Sequence, residues 1–216
     1  MRRAMIIQCD FDGTITEEDV SFALLDAFAQ GDWREWFEQY REHKITVGEF
    51  NTRAFAMVKA TRAELLKVAR DDVGLRPGLR ELIDYCRRRD FRFVIVSNGL
   101  DFYITAILKD AGLGGIEVHA AKTRFYHSGR RGLKVQYIGP DNTPLLSGFK
   151  EAYTRAFLRQ DHRLVYVGNG PSDIAPAVHA ERVFARDGML DGCREAGLEC
   201  TPFNDLNDIV RGLESL

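Results

Sequence analysis

Residues 4–9, AMIIQC, form a short, largely apolar run without alternation, and it stops at two aspartates, Asp10 and Asp12. A strand of this kind is buried on both faces, which requires a sheet covered by helices on either side. Similar runs predict strands at 91–96, 116–121, 164–167 and near 182–185. Helical spacing of apolar residues marks 101–110, 149–159 with Phe149, Tyr153, Ala156 and Phe157 inward, and a C-terminal stretch carrying Leu206, Ile209, Val210 and Leu213. Strands alternating with helices predict an α/β fold with a Rossmann-like core, a parallel sheet flanked by helices.

The first two strands are separated by far more chain than the dozen or so residues a crossover needs. The excess reads as helical. Val20, Leu24 and Phe28 share a face, as do Trp33, Trp36, Phe37 and Tyr40, and then Phe50, Ala54 and Met57. Thr46-Val47-Gly48-Glu49 and Thr61-Arg62-Ala63-Glu64 have the form of capping boxes. The expected organisation is a core of residues 1–15 and 77–216 with a small helical domain, 16–76, inserted into it. Pro77 suits the first position of the helix that buries Leu79, Leu82, Ile83 and Cys86. The stretch FYHSGRRGLKVQYIG predicts a small β-hairpin.

A length of 216 residues allows one core with a small companion, and 45% hydrophobic with 29% charged residues reads as soluble and globular. The net charge of −2 supplies no basic field for nucleic acid, and Arg87-Arg88-Arg89 is explained as the cationic last turn of a helix. Cys9, Cys86, Cys193 and Cys200 show no CxxC spacing, which points to a reducing cytoplasm. Asp10 and Asp12 interrupt the apolar run after Arg2-Arg3, so no secretory leader is read there. No stretch approaches the roughly 20 apolar residues of a membrane span.

Three strands run into unusual polar endings: DFDGT, SNG and GNGPSD. Ligands of such sheets sit beyond the carboxyl ends of the strands. Asp10 and Asp12, two apart, face one site, and a metal ion offsets the cost of clustering their carboxylates. Mg²⁺, which prefers oxygen ligands and keeps several waters, suits that cluster together with a substrate phosphate. Gly13 permits the tight turn that follows, and Thr14 closes it with a hydroxyl.

In order along the chain, DFDGT, Ser97, Lys150 and GNGPSD resemble the four motifs of the haloacid dehalogenase superfamily. The resemblance implies that Asp10 is a nucleophile forming an aspartyl-phosphate and that Asp12 is the general acid and base. A second aspartate is similar to the phosphatases and phosphotransferases and unlike the dehalogenases. Ser97, with the N–H groups of Asn98 and Gly99 and with Thr14, is then expected to bind the phosphoryl group. Lys150 is expected to hold nucleophile and phosphate oxygens together. The metal ligands implied are Asp10, the backbone carbonyl of Asp12, Asn169 and Asp173. Asn169 stands where the family pattern has aspartate, so weaker Mg²⁺ binding is expected, with Asp173 carrying more of the coordination directly or through water.

The insert resembles the superfamily's type 1 helical cap, as in the phosphoserine phosphatase group. VIVSNGLDFYI and VFARDGMLDGCREAGLECTPFNDLNDI look like the 2-hydroxy-3-keto-5-methylthiopentenyl-1-phosphate phosphatases of methionine salvage. Two departures leave the substrate open: no Cys-rich stretch precedes Lys150, and Asp19 stands where phosphoserine phosphatases carry a cap glutamate. Asp19, Arg53, Arg124 and His127 are candidate leaving-group contacts. The Trp33, Trp36, Phe37 and Tyr40 stripe is expected to be cap core with one ring toward the substrate. The expected activity is Mg²⁺-dependent hydrolysis of a small phosphorylated metabolite by a monomer or homodimer, with no nucleic-acid or membrane partner. The alternatives are a phosphoryl-ligand-binding protein with a crippled metal site and a phosphotransferase.

Overall fold

The computed structural model describes residues 4–71, 73–126 and 131–214. In chain order its elements are β1 (Met5–Cys9), α1 (Val20–Phe28), α2 (Arg34–Arg41), α3 (Val47–Ala56), α4 (Arg62–Asp71), α5 (Leu79–Arg88), β2 (Arg92–Leu100) and α6 (Asp101–Asp110). There follow β3 (Glu117–Phe125), β4 (Leu133–Ile138), β5 (Pro144–Leu145), α7 (Phe149–Arg159) and β6 (Arg163–Gly168). The chain continues through α8 (Ile174–Ala177), β7 (Arg182–Ala185), α9 (Asp187–Glu195), β8 (Thr201–Pro202) and α10 (Leu206–Glu214). The strands form one sheet in the order β5-β4-β3-β2-β1-β6-β7-β8.

β1 is central and every one of its residues is buried. It runs parallel to β2 and β6, with Cys9 opposite both Ile95 and Val167, so the carboxyl ends of three strands lie side by side. That is where the polar endings collect. The sheet is mixed rather than wholly parallel. β3 begins parallel to β2 and ends antiparallel to β4, because nothing between Ala121 and Phe125 breaks the strand. The expected strand at 116–121 and the first arm of the hairpin are therefore one element. The hairpin's turn, with His127, lies outside the described residues.

Between β1 and α5 the chain is helical, as its periodicity predicts. Thr46 and Glu49 close a reciprocal capping box on α3, and Thr61 with Glu64 does the same at α4. Pro77 does not open α5. Gly78, at a φ of 89°, precedes the helix, and the Pro77 carbonyl accepts from the Leu206 N–H at 2.9 Å, so the turn is tied to α10.

Where the chain passes from β1 toward α1 and back toward α5, the two passages pair. The Arg76 N–H donates to the Ile15 carbonyl at 2.8 Å and the Glu17 N–H to the Gly74 carbonyl at 2.9 Å. The buried Arg76 guanidinium donates to the carbonyls of Gly13, Thr14 and Thr16 at 3.0, 2.8 and 3.0 Å. A fork of donors suits a loop whose carbonyls crowd together. The turn that follows Asp12 is thereby fixed from behind.

Candidate active site

The Asp10 N–H donates to the Val167 carbonyl at 2.9 Å, the last rung between β1 and β6. The chain then turns on Phe11, whose carbonyl accepts from the N–H groups of Thr14, Ile15 and Thr16. Asp10 and Asp12 thus open on one cavity of about 220 Å³, together with Asp19, Ser97, Asn98, Gly99, Lys150 and Asn169.

Asp10 is held by charge. Its Oδ2 lies 2.8 Å from the Lys150 ammonium, while its Oδ1 is buried with no hydrogen-bond partner among the described residues. Lys150 also meets Asp173 Oδ1 at 2.6 Å and Ser172 Oγ at 3.2 Å. Burial works against the Lys150 charge, but Asp10 and Asp173 outweigh it and hold the ammonium above its ordinary range. Burial pushes the Asp10 carboxyl up to about 6, because the pull of Lys150 does not fully offset it. Gln8, a buried amide in β1, steadies the lysine's helix. Its Nε2 donates to the Lys150 carbonyl at 3.1 Å and its Oε1 accepts from the Thr154 hydroxyl at 2.7 Å.

Asp12 has different partners. Its Oδ2 accepts from the Tyr103 hydroxyl at 2.5 Å, which also pairs with Ser21 Oγ at 2.9 Å. Its Oδ1 accepts a longer bond, 3.3 Å, from the Val20 N–H. Burial, reinforced by the charges of Asp19 and Asp10, keeps this carboxyl well above its usual range. A Cβ at Gly99 would strike both Asp12 Oδ2 and the Tyr103 hydroxyl, so glycine is what lets the end of β2 approach. The Gly99 N–H, expected to face a phosphoryl group, donates instead to Ser97 Oγ at 3.0 Å. That bond leaves the Ser97 hydroxyl proton free to point into the cavity.

Asp173 does not face the cavity. Its Oδ2 accepts from the N–H groups of Asn169 and Gly170 at 3.1 and 3.0 Å, and its Oδ1 from Lys150 and Tyr166, each at 2.6 Å. Four donors saturate it, so the expected metal coordination by Asp173 gives way to a role behind Lys150. Thr14 likewise turns from the cavity and donates to Asn169 Oδ1 at 3.0 Å, orienting the amide. No group of three or more His, Cys, Asp or Glu side chains among the described residues is gathered to hold a metal. The oxygens that remain are Asp10 Oδ1, Asn169 Oδ1 and the Asp12 carbonyl. With Asp10 and Asp12 two residues apart at one cavity and one carboxylate oxygen of Asp10 unpartnered, this oxygen set fits a Mg²⁺ ion that keeps waters and is completed by a phosphate.

Arg53 is not brought to the cavity: it is exposed, 4.7 Å over the Trp36 ring. Arg124 is exposed on β3 and does not line the cavity either. Asp19 does line it while capping α1, accepting from the Phe22 N–H at 3.0 Å. Of the aromatic stripe, Trp33 is buried, and both Phe37 and Tyr40 reach the cavity beside Phe22 and Phe50. Sequence reasoning missed Tyr103, Asn51 and Gln8. Gln8 alone left a signal, as a polar residue inside a buried strand.

A sequence model described as haloacid dehalogenase-like hydrolase matches residues 7–177. Proteins named 2-hydroxy-3-keto-5-methylthiopentenyl-1-phosphate phosphatase from Brevibacillus brevis and Geobacillus kaustophilus are each 28% identical over 220 residues, covering 100% of this chain and 98% of theirs. Among solved structures, a phospho-aspartyl intermediate analogue of phosphoserine phosphatase superposes with a TM-score of 0.72 at 16% identity, over 97% of this chain and 99% of that one. The phosphoserine phosphatase of T. onnurineus gives 0.71 at 17% identity, over 99% and 96%.

Proposed function

The chain belongs to the haloacid dehalogenase-like hydrolases, and from that premise we propose that it is a phosphatase of a small phosphomonoester, working through an aspartyl-phosphate on Asp10. The observation that carries this reading is the state of Asp10. One oxygen is pinned by Lys150, the other is buried and unpartnered, and Asp12 stands two residues on at the same cavity.

An Asp10 carboxylate oxygen attacks phosphorus as the P–O bond to the alcohol breaks, and Asp12 gives the departing oxygen its proton. Water then attacks the aspartyl-phosphate and passes its proton to Asp12, which frees phosphate and restores the Asp10 carboxylate. Tyr103 anchors Asp12 through Oδ2, leaving the weakly held Oδ1 to meet the leaving group. Lys150 and the Ser97 hydroxyl neutralise and orient the phosphoryl oxygens. Asp10, Asn169 and the Asp12 carbonyl would hold a Mg²⁺ ion, which when bound would supply further positive charge for those oxygens. Residues 16–76 act as the cap that covers the leaving group, supported by the paired crossing at Ile15–Glu17 and Gly74–Arg76. The four cysteines are free, which supports a reducing cytoplasm as the compartment of a small-metabolite enzyme.

The test is phosphate release from p-nitrophenyl phosphate with and without Mg²⁺, in wild type and Asp10→Asn. Mg²⁺-dependent release that Asp10→Asn abolishes is the expected result. Release that survives the substitution overturns the nucleophile.

A further inference from the structure

The wall of the cavity that faces the nucleophile comes from the inserted helices. Phe22, Phe37, Tyr40 and Phe50 line it, with ring centroids 4.9 Å apart for Phe22 and Phe37, 5.5 Å for Phe37 and Phe50, and 6.1 Å for Tyr40 and Phe50. These rings border open space of about 220 Å³, so they are more than a core packed on itself.

Two polar groups beside them offer acceptors, Asp19 and Asn51. Asp19 is a carboxylate. Asn51 Nδ2 is committed to the Asn98 carbonyl at 3.0 Å and the Tyr137 hydroxyl at 2.7 Å, so the amide oxygen is what Asn51 offers the cavity. The Ser21 hydroxyl is engaged with Tyr103, while the Tyr40 oxygen accepts from Ser172 and keeps its own proton. Lys150 is the lone cation lining the cavity among the described residues, and it is committed to Asp10 and Asp173. Arg34 and Arg53 lie over Trp33 and Trp36, outside it. A leaving group entering here meets aromatic rings, a carboxylate and the Asn51 amide oxygen, with no uncommitted cation among the described residues to pair with an acid.

We propose that the leaving group carries an ammonium or quaternary ammonium and no carboxylate, so that the substrate is the phosphomonoester of an amino alcohol. This rests on the phosphatase reading above and names its substrate class. Aromatic faces attract onium groups through their quadrupole, and a carboxylate nearby adds to that attraction. A phosphoamino acid brings its own carboxylate against Asp19 and the Asn51 amide oxygen, which costs it affinity.

The experiment compares kcat/KM for phosphocholine, its uncharged isostere 3,3-dimethylbutyl phosphate, phosphoethanolamine and phosphoserine, beside p-nitrophenyl phosphate, in wild type, Asp19→Asn and Phe50→Leu. Phosphocholine should exceed its isostere by about tenfold, and phosphoethanolamine should exceed phosphoserine by a similar factor. Each substitution should shrink the first ratio toward one. An isostere turned over as well as phosphocholine, or phosphoserine preferred to phosphoethanolamine, overturns the proposal while the phosphatase reading stands. If p-nitrophenyl phosphate itself is untouched, the phosphatase reading fails. Calorimetric binding then decides the cage alone: tighter binding of phosphocholine than of the isostere supports it, and equal binding overturns it.

Discussion

Lys150 sits near the start of α7, buried to 3% exposure, where both desolvation and the helix dipole oppose its charge. It is stable there because Asp10 and Asp173 flank it, which makes the trio one electrostatic unit and leaves Tyr103 to hold Asp12 separately. Tyr103→Phe removes only the hydroxyl. It should lower kcat on alkyl phosphates about tenfold with a smaller loss on p-nitrophenyl phosphate, whose leaving group needs no proton. Equal losses on both would show that Tyr103 does not act through Asp12. Asn169→Asp adds a charge to the oxygen set beside Asp10, so half-saturating Mg²⁺ should fall about tenfold in a titration of turnover. An unchanged titration contradicts the ligand assignment. Asp10 and Asp12 were legible in the sequence because a two-residue spacing at the end of a buried strand fixes where they point. Asp173 was misread because its oxygens turn back onto the Asn169 and Gly170 N–H groups, a local bond that residue type does not reveal. Tyr103 was invisible, since its partner lies 91 residues away in the chain.

At the level of elements, the turn after β1 depends on Arg76, whose guanidinium is bound by backbone carbonyls rather than by a carboxylate. Arg76→Ala strands the carbonyls of Gly13, Thr14 and Thr16, and should cost about 3 kcal/mol in chemical denaturation. Arg76→Lys, with no fork, should recover only part of the loss, and an unchanged midpoint for Arg76→Ala contradicts the clamp. The helices of residues 16–76 were readable because their apolar spacing and the capping boxes at Thr46 and Thr61 are local signals. β3 was not readable as one strand. Its two halves have different partners, β2 and β4, and pairing is a tertiary choice that leaves no local mark. α9 and the short β5 and β8 went unread because Gly188 and Gly192 dilute the helical pattern and two-residue strands carry none.

For the whole molecule, apolar strands alternating with helices made a helix-covered sheet and a site beyond its strand ends legible together, while the order of the strands was not. The charge balance of the site sets how stability responds to pH and metal. Burial raises the Asp10 carboxyl to about 6, above its value in the unfolded chain. The folded protein therefore holds that proton more tightly, and the metal-free form loses stability as pH rises from about 4 through about 6. Mg²⁺ binds the ionised form, so it should raise the melting temperature more at about pH 7.5 than at about pH 5. The same gain at both values contradicts a site built on Asp10. If Asp10 carries the phosphoryl group, acid-quenched mass spectrometry during turnover will find it there. The expected result is one phosphoryl mass increment on the peptide containing Asp10, absent in Asp10→Asn. Turnover without that adduct, or an adduct on another residue, contradicts it.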